Sequence, residues 1–403
     1  MAKEKLKKKQ GSENKALFER AKRYLVGGVN SPIRSFKYVG IDPILIKEGK
    51  GPRVYDYDGN SYVDYALSYG AIILGHAYPG VIKALKTTIG KGLHFGTTNI
   101  GEIELASIIQ KAIPSMEKMR FVNSGTEAVM SSVKLAKGYT GRKKVVKFID
   151  SYHGHADDIA SHAISVEFNN KPVIKKVFER YGADIACLIV EPIGGNHGVV
   201  IPKAGYLRYL RNLTREYGSL LIFDEVITGF RFGFGSSADI FGVKPDIFCL
   251  GKIVGGGLPI GVYGGRKDIM DNLAPLGKIY QGSTFSGNPV VMRSGIAALR
   301  ALFSLKHRYQ ALELMVKYLC DGINKIAETD NIDMKTVYFG TMFSIRFKRP
   351  EEFRSFYRFM IQNSVYFAPS EYEANFISFS HTKKNIKETL ILVKRALRSI
   401  KYD

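Results

Sequence analysis

Strand candidates at 185–190, 219–223 and 246–250 are built on short runs that are apolar without a break. A strand with one face in water alternates apolar and polar residues, so an unbroken run calls for cover on both faces. Between these runs lie helix-period patterns at 79–88, 101–112, 126–137, 204–216 and 289–303. Further strand candidates sit at 119–122, 144–148 and 261–264. Strands alternating with helices predict an α/β layer with a mainly parallel sheet. In such a sheet ligands gather at the carboxyl ends of the strands.

The two flanks read differently. Residues 13–25 carry helical spacing, and Gly27-Gly28 ends that helix. Residues 43–47 and 53–56 read as short strands, followed by an Asp58-Gly59-Asn60 turn. Beyond 305 come helical stretches at 308–328, 351–363 and 384–400, with strand-like pieces at 334–347 and 376–379. We therefore expect an N-terminal segment over 1–65, a large α/β domain over 66–300 and a small α+β domain over 301–403.

Bulk properties exclude several classes. No apolar stretch approaches the roughly 18–20 residues of a membrane span. The start, Lys3-Glu4-Lys5-Leu6-Lys7-Lys8-Lys9, lacks the apolar region of a secretory signal and reads as a solvated tail. Cys187, Cys249 and Cys320 are far apart, and the first two lie in apolar runs, which suggests reduced thiols and a cytoplasmic location. The formal net charge is +22, but the lysines are spread along the chain and no nucleic-acid recognition element accompanies them. Nucleic acid is therefore not expected as the main partner.

The strand ends carry the chemistry. Leu220-Leu221-Ile222-Phe223 delivers Asp224, and Phe248-Cys249-Leu250-Gly251 delivers Lys252, with Gly255-Gly256-Gly257 after it. A lysine and an aspartate converging in this way suit pyridoxal phosphate. The amine forms a Schiff base with it, and the carboxylate pairs with the ring nitrogen so that the ring can accept electrons. Ser124-Gly125-Thr126-Glu127 runs from a strand into a helix, where glycine and the first N–H groups can receive a phosphate. The same residues also suit a plain capped helix start. In Tyr152-His153-Gly154-His155 an aromatic can stack on a flat ring, while the two histidines leave a metal site or simple loop packing open. Glu191-Pro192-Ile193-Gly194-Gly195-Asn196 offers a carboxylate and an amide, with Glu191 equally readable as a paired structural acid. Asp224-Glu225 without a GxxxxGK[ST] loop argues against a P-loop enzyme, and the triple glycine lacks the spacing of a dinucleotide loop.

The strings NSGTEA, SYHGHAD, FDEVITGFR, LGKIVGGGLPIG and TFSGNP occur in one order along the chain. Taken together they resemble the class III, fold-type I pyridoxal-phosphate aminotransferases over nearly the whole length. The start VGGVNSPIR is similar to that of the family's aminomutase branch. The resemblance implies a seven-stranded, mainly parallel sheet flanked by helices, plus a small domain from both chain ends. It implies Lys252 as Schiff-base lysine and proton shuttle, Asp224 on the ring nitrogen, Tyr152 on the ring face and Asn196 near the ring hydroxyl. Gly125 and Thr126 would bind the phosphate, with Thr284 reaching in from the partner of a homodimer. Ser31 and Arg34 would take the substrate carboxylate, with Tyr69 and Glu373 nearby; a guanidinium fork suits both oxygens. No metal is implied. The implied activity starts from the pyridoxamine form. It moves an amino group within one amino-aldehyde, glutamate-1-semialdehyde, through 4,5-diaminovalerate to 5-aminolevulinate, for tetrapyrrole synthesis.

Two departures leave a second activity open. The family's usual Ser-Trp-Gly-Pro is here Ser68-Tyr69-Gly70-Ala71, and the chain has no tryptophan. The stretch from Ala156 to Ala186 is shorter and poorer in glycine than the mobile segment that gates the family's site. A lid retains reactive intermediates. With less of one, an aminotransferase drawing on an external amino donor and acting on another aldehyde or ketone is the alternative.

Overall fold

The computed structural model describes residues 12–402, so the lysine-rich start at 3–9 lies outside the described residues. The chain falls into two compact units. One is Pro79–Tyr309, and the other joins the two chain ends, up to Tyr78 and from Gln310 onward.

The Pro79–Tyr309 unit is built on a seven-stranded sheet. Across it the strands run Lys118–Val122, Gly261–Gly265, Ile247–Gly251, Leu220–Glu225, Ile185–Val190, Lys144–Phe148 and Ile164–Val166. Gly261–Gly265 runs antiparallel to both its neighbours, and the remaining pairs are parallel. The three strands at 185–190, 220–225 and 247–251 are buried at every position, as their unbroken apolar character requires. The helix Gly125–Thr140 covers one face. Its Val129, Val133 and Ala136 share a core with Cys187, Ile189, Ile222 and Cys249. Ser124 caps that helix through the Glu127 N–H, and Gly141 closes it in the left-handed conformation at φ 69°. Each fully buried aliphatic side chain in such a core contributes about 1.5–3 kcal/mol.

Two elements of this unit go beyond the sequence expectation. Ile164–Val166 adds an edge strand, and Lys171–Tyr181 is a helix that starts on an Asn170 cap and buries Ile174 and Phe178. The helix signal was present but crowded by charge: Val173, Ile174, Val177 and Phe178 recur at helical spacing among five charged residues, Lys171, Lys175, Lys176, Glu179 and Arg180.

In the other unit a four-stranded sheet has the order Ile46–Lys50, Arg53–Asp56, Ser61–Asp64, Val365–Tyr366. The last strand pairs in parallel with Ser61–Asp64, which ties the two chain ends into one sheet. A three-stranded sheet holds Met334–Phe339, Met342–Phe347 and Asn375–Phe376. Helices Pro350–Gln362 and Lys383–Tyr402 pack on each other beside it. Among the described residues no helix is long and apolar enough to cross a membrane.

Candidate active site

In the Pro79–Tyr309 unit the candidate residues gather at the strand ends. Asp224 lies opposite Cys249 in the sheet, and Lys252 follows the last residue of the Cys249 strand. Lys252 is half-buried and has φ 44°. A side chain in that region is crowded by its own backbone, so the strain falls on the lysine expected to hold a cofactor.

Asp224 is 5% exposed and accepts from the Val226 N–H at 3.1 Å through Oδ1. Its Oδ2 meets His153 Nδ1 at 2.7 Å. A carboxylate can only accept, so Nδ1 carries the hydrogen. His153 is therefore a buried support for Asp224. Among the described residues no cluster of three His, Cys, Asp or Glu side chains is placed to hold a metal.

Glu191 ties the neighbouring loops together. Its Oε1 accepts from the Tyr152 N–H at 3.1 Å, and its Oε2 accepts from the Gly195 N–H and from Asn196 Nδ2, both at 3.0 Å. Burial pushes this carboxyl up, with Asp224 adding to the rise, while His153 and the Gly195 and Asn196 donors oppose it. The Tyr152 ring itself is 56% exposed, so a flat molecule can lie on it.

The phosphate end fits an anion. Gly125 and Thr126 open a 16-residue helix whose first N–H groups have no partner within the helix. A Cβ on Gly125 would stand 2.9 Å from Val226 Cγ1, and one on Gly154, at φ 85°, would stand 2.5 Å from Thr126 Oγ1. Only bare backbone leaves that cradle open and lets the Tyr152-His153-Gly154 loop close on the helix start. A lysine, a buried carboxylate, an exposed aromatic ring and an open helix start are the groups that pyridoxal phosphate would require. Thr284 is exposed, in an irregular stretch next to Ser283, which accepts from Asn123 Nδ2 at 2.8 Å.

The other unit brings the remaining candidates together. Ser31 precedes the short turn Pro32–Ser35, which carries Arg34, and the Ser31 hydroxyl makes no capping bond. Phe36 anchors the end of that turn between Tyr357 and Tyr366, with ring centroids at 5.9 and 6.0 Å. Tyr69 is half-buried. Burial raises its hydroxyl pKa, the Glu373 charge raises it further and Arg34 opposes them. Arg34 and Glu373 each therefore lie within electrostatic reach of Tyr69. Tyr366, also beside Tyr69, was not singled out from the sequence, because its position depends on the two-residue strand Val365–Tyr366.

The chain belongs to the class III aminotransferases, whose family model matches residues 37–172 and 161–390. Within that class it is similar to the glutamate-1-semialdehyde 2,1-aminomutase of Thermodesulfovibrio yellowstonii, 45% identical over 415 residues, covering 94% of this chain and 97% of the relative. It is also similar to the enzyme of the same name from Persephonella marina, 44% identical over 93% of this chain and 96% of the relative. Among solved structures, an omega-transaminase from Sphaerobacter thermophilus superposes with a TM-score of 0.89 at 27% identity, over 97% of this chain and 98% of that one. The 415-residue alignment is longer than the whole 403-residue chain, so the relative has residues that this chain lacks. The family match breaks and resumes within 161–172, inside the stretch read as shortened.

Proposed function

We propose that the protein is a pyridoxal-phosphate-dependent aminomutase that converts glutamate-1-semialdehyde to 5-aminolevulinate for tetrapyrrole synthesis. The observation that carries it is the strained Lys252 just past the strand that neighbours the buried Asp224–His153 pair, in a chain 45% identical to an enzyme of that name. The bound cofactor supplies an electron sink that stabilises the charge left when a proton is removed beside the substrate nitrogen.

The chain's residues do the rest. Gly125 and Thr126 N–H groups hold the phosphate. Asp224, oriented by the His153 Nδ1–H, would face the ring nitrogen. Tyr152 covers the ring face, and Glu191 fixes both the Tyr152 backbone and Asn196. Lys252 would hold the cofactor through Nζ, and as a free amine it would carry protons between the reacting carbons of the substrate. Ser31 and Arg34 take the substrate carboxylate, with Tyr69 and Glu373 alongside. Because one molecule both gives and receives the amino group, no external donor is consumed.

We further propose a homodimer in the cytoplasm. Leu93, Phe95, Ile100, Ile103, Tyr280 and Phe285 are large apolar side chains left more than half exposed within one unit, which supports a covering second copy. Three free, buried cysteines support a reducing compartment.

The test is conversion of glutamate-1-semialdehyde by the purified holoenzyme without any added amine. Product formation is expected, and a strict requirement for a donor such as glutamate would favour the aminotransferase instead. Independently of turnover, borohydride should fix the cofactor onto the Lys252 peptide, read by mass spectrometry.

A further inference from the structure

Between the strand Ser61–Asp64 and helix-like residue Gly70 the backbone takes an unusual course. Leu67 has φ 44°, Ser68 φ 52° and ψ 44°, and Tyr69 φ 54° and ψ 39°. Three consecutive residues with side chains thus sit in the left-handed region. There each Cβ crowds the following carbonyl, so single residues visit it and runs do not. Such a run persists only where the surroundings over-determine it.

Asp64 supplies that hold. It is 2% exposed, and its Oδ1 accepts from the Leu67 N–H at 2.8 Å, at the first residue of the run. Its Oδ2 faces His76 Nε2 at 2.7 Å. His76 is fixed in turn by paired backbone bonds with Gly51, at 2.8 and 2.9 Å. Gly49 makes room for the imidazole, since a Cβ there would stand 2.7 Å from the ring. The turn closes with the Tyr69 N–H on the Ala66 carbonyl at 2.8 Å. The last side chain of the run is Tyr69, brought beside Tyr366 and within reach of Arg34 and Glu373.

We propose that Asp64 and His76 are positioning residues for substrate recognition: they hold the left-handed turn that presents Tyr69 beside Arg34 and Glu373. The inference rests on the assignment of those three side chains to the substrate. Neither Asp64 nor His76 touches substrate; both act through the Leu67–Tyr69 backbone. A purely structural pair would instead stabilise the unit without bearing on recognition.

The strain itself provides the test. Glycine visits the left-handed region freely, so Ser68→Gly removes part of what the pair must hold in place. Holoenzymes carrying Asp64→Ala, His76→Ala, and each combined with Ser68→Gly are compared for KM, kcat, cofactor absorbance and thermal midpoint. We expect the single changes at 64 and 76 to raise KM for the semialdehyde about tenfold, with kcat and the cofactor band nearly unchanged. Ser68→Gly should restore most of that loss in the His76→Ala background even if Asp64→Ala folds poorly. An active wild type with unchanged KM in His76→Ala overturns the inference. So does a parallel fall of kcat and folded fraction that glycine does not rescue. A wild type that fails to isomerise the semialdehyde without a donor overturns the functional assignment first, and the inference with it.

Discussion

Replacing Glu191 with glutamine keeps the side chain's shape and removes one acceptor oxygen. The wild-type carboxylate serves three donors, one on Oε1 and two on Oε2, at 3.0–3.1 Å. A glutamine can turn its oxygen toward Gly195 and Asn196, which sets its own NH2 against the Tyr152 N–H. Turned the other way it abandons two donors. The better orientation still loses one charge-assisted bond, worth about 1.5–3 kcal/mol, and leaves a buried N–H facing a donor. Against that, glutamine has no charge to bury, and burial is the largest influence on Glu191. A net loss of about 2 kcal/mol follows. It falls on the two loops that carry Tyr152 and Asn196, so the dissociation constant for pyridoxal phosphate should rise about thirtyfold. Spectrophotometric titration of the apoenzyme with cofactor measures this. A second readout is the pH dependence of urea unfolding. Burial raises the carboxyl pKa in the folded state, so as pH rises past the ordinary value of 4.5 the native protein holds more proton than the unfolded chain. Stability due to this group therefore falls as pH rises through that window, and the glutamine variant lacks that slope. An unchanged dissociation constant together with an unchanged slope would refute the role given to Glu191.

Four further outcomes are expected. Lys252→Ala should abolish borohydride labelling while leaving the thermal midpoint within a few degrees; persistent labelling of the variant would remove Lys252 from its role. Gly125→Val places a Cβ at the 2.9 Å contact with Val226, and should weaken cofactor binding at least tenfold in the same titration, a normal affinity being the contrary result. Burial, with His76 adding to it, lowers the His381 pKa to about 3 from 6.5. The unfolded chain therefore binds a proton that the native state refuses. Stability should fall as pH drops from 6.5 toward 3, by up to about 1.4 kcal/mol per pH unit, and a chemical denaturation series that is flat over that range would contradict it. In the stretch read as shortened, a helix over Asp157–Ala160 is closely followed by the strand Ile164–Val166, and Tyr152 is left 56% exposed. Amine-form enzyme given the semialdehyde should accordingly release free 4,5-diaminovalerate in larger yield than the Thermodesulfovibrio yellowstonii relative. Equal yields by mass spectrometry would show that the short segment still retains it.

The large sheet was legible because burial on both faces leaves a local trace. Residues 185–190 and 220–223 read as two-sided strands and are buried throughout. Lys252 and Asp224 were legible for the same reason, as polar residues standing at the ends of such runs. The edge strand Ile164–Val166 left no comparable trace, since three residues with one exposed position look like any loop. His153 was visible only as one of two nearby histidines. Its partner is 71 residues away, and the pairing depends on two strand ends meeting.

The sequence by itself determined the alternation of buried strands and helices, the class of cofactor chemistry and the residues at the strand ends. Hydrophobic period and capping act within a few residues, so a short window records them. The tertiary structure alone decided which polar groups support those residues: His153 under Asp224, Glu191 between Tyr152 and Asn196, and Asp64 with His76 under the Leu67–Tyr69 turn. Nothing in Leu67-Ser68-Tyr69 announces a left-handed path. That conformation is unfavourable for each residue alone, and it exists only because distant groups, once folded together, make every alternative worse.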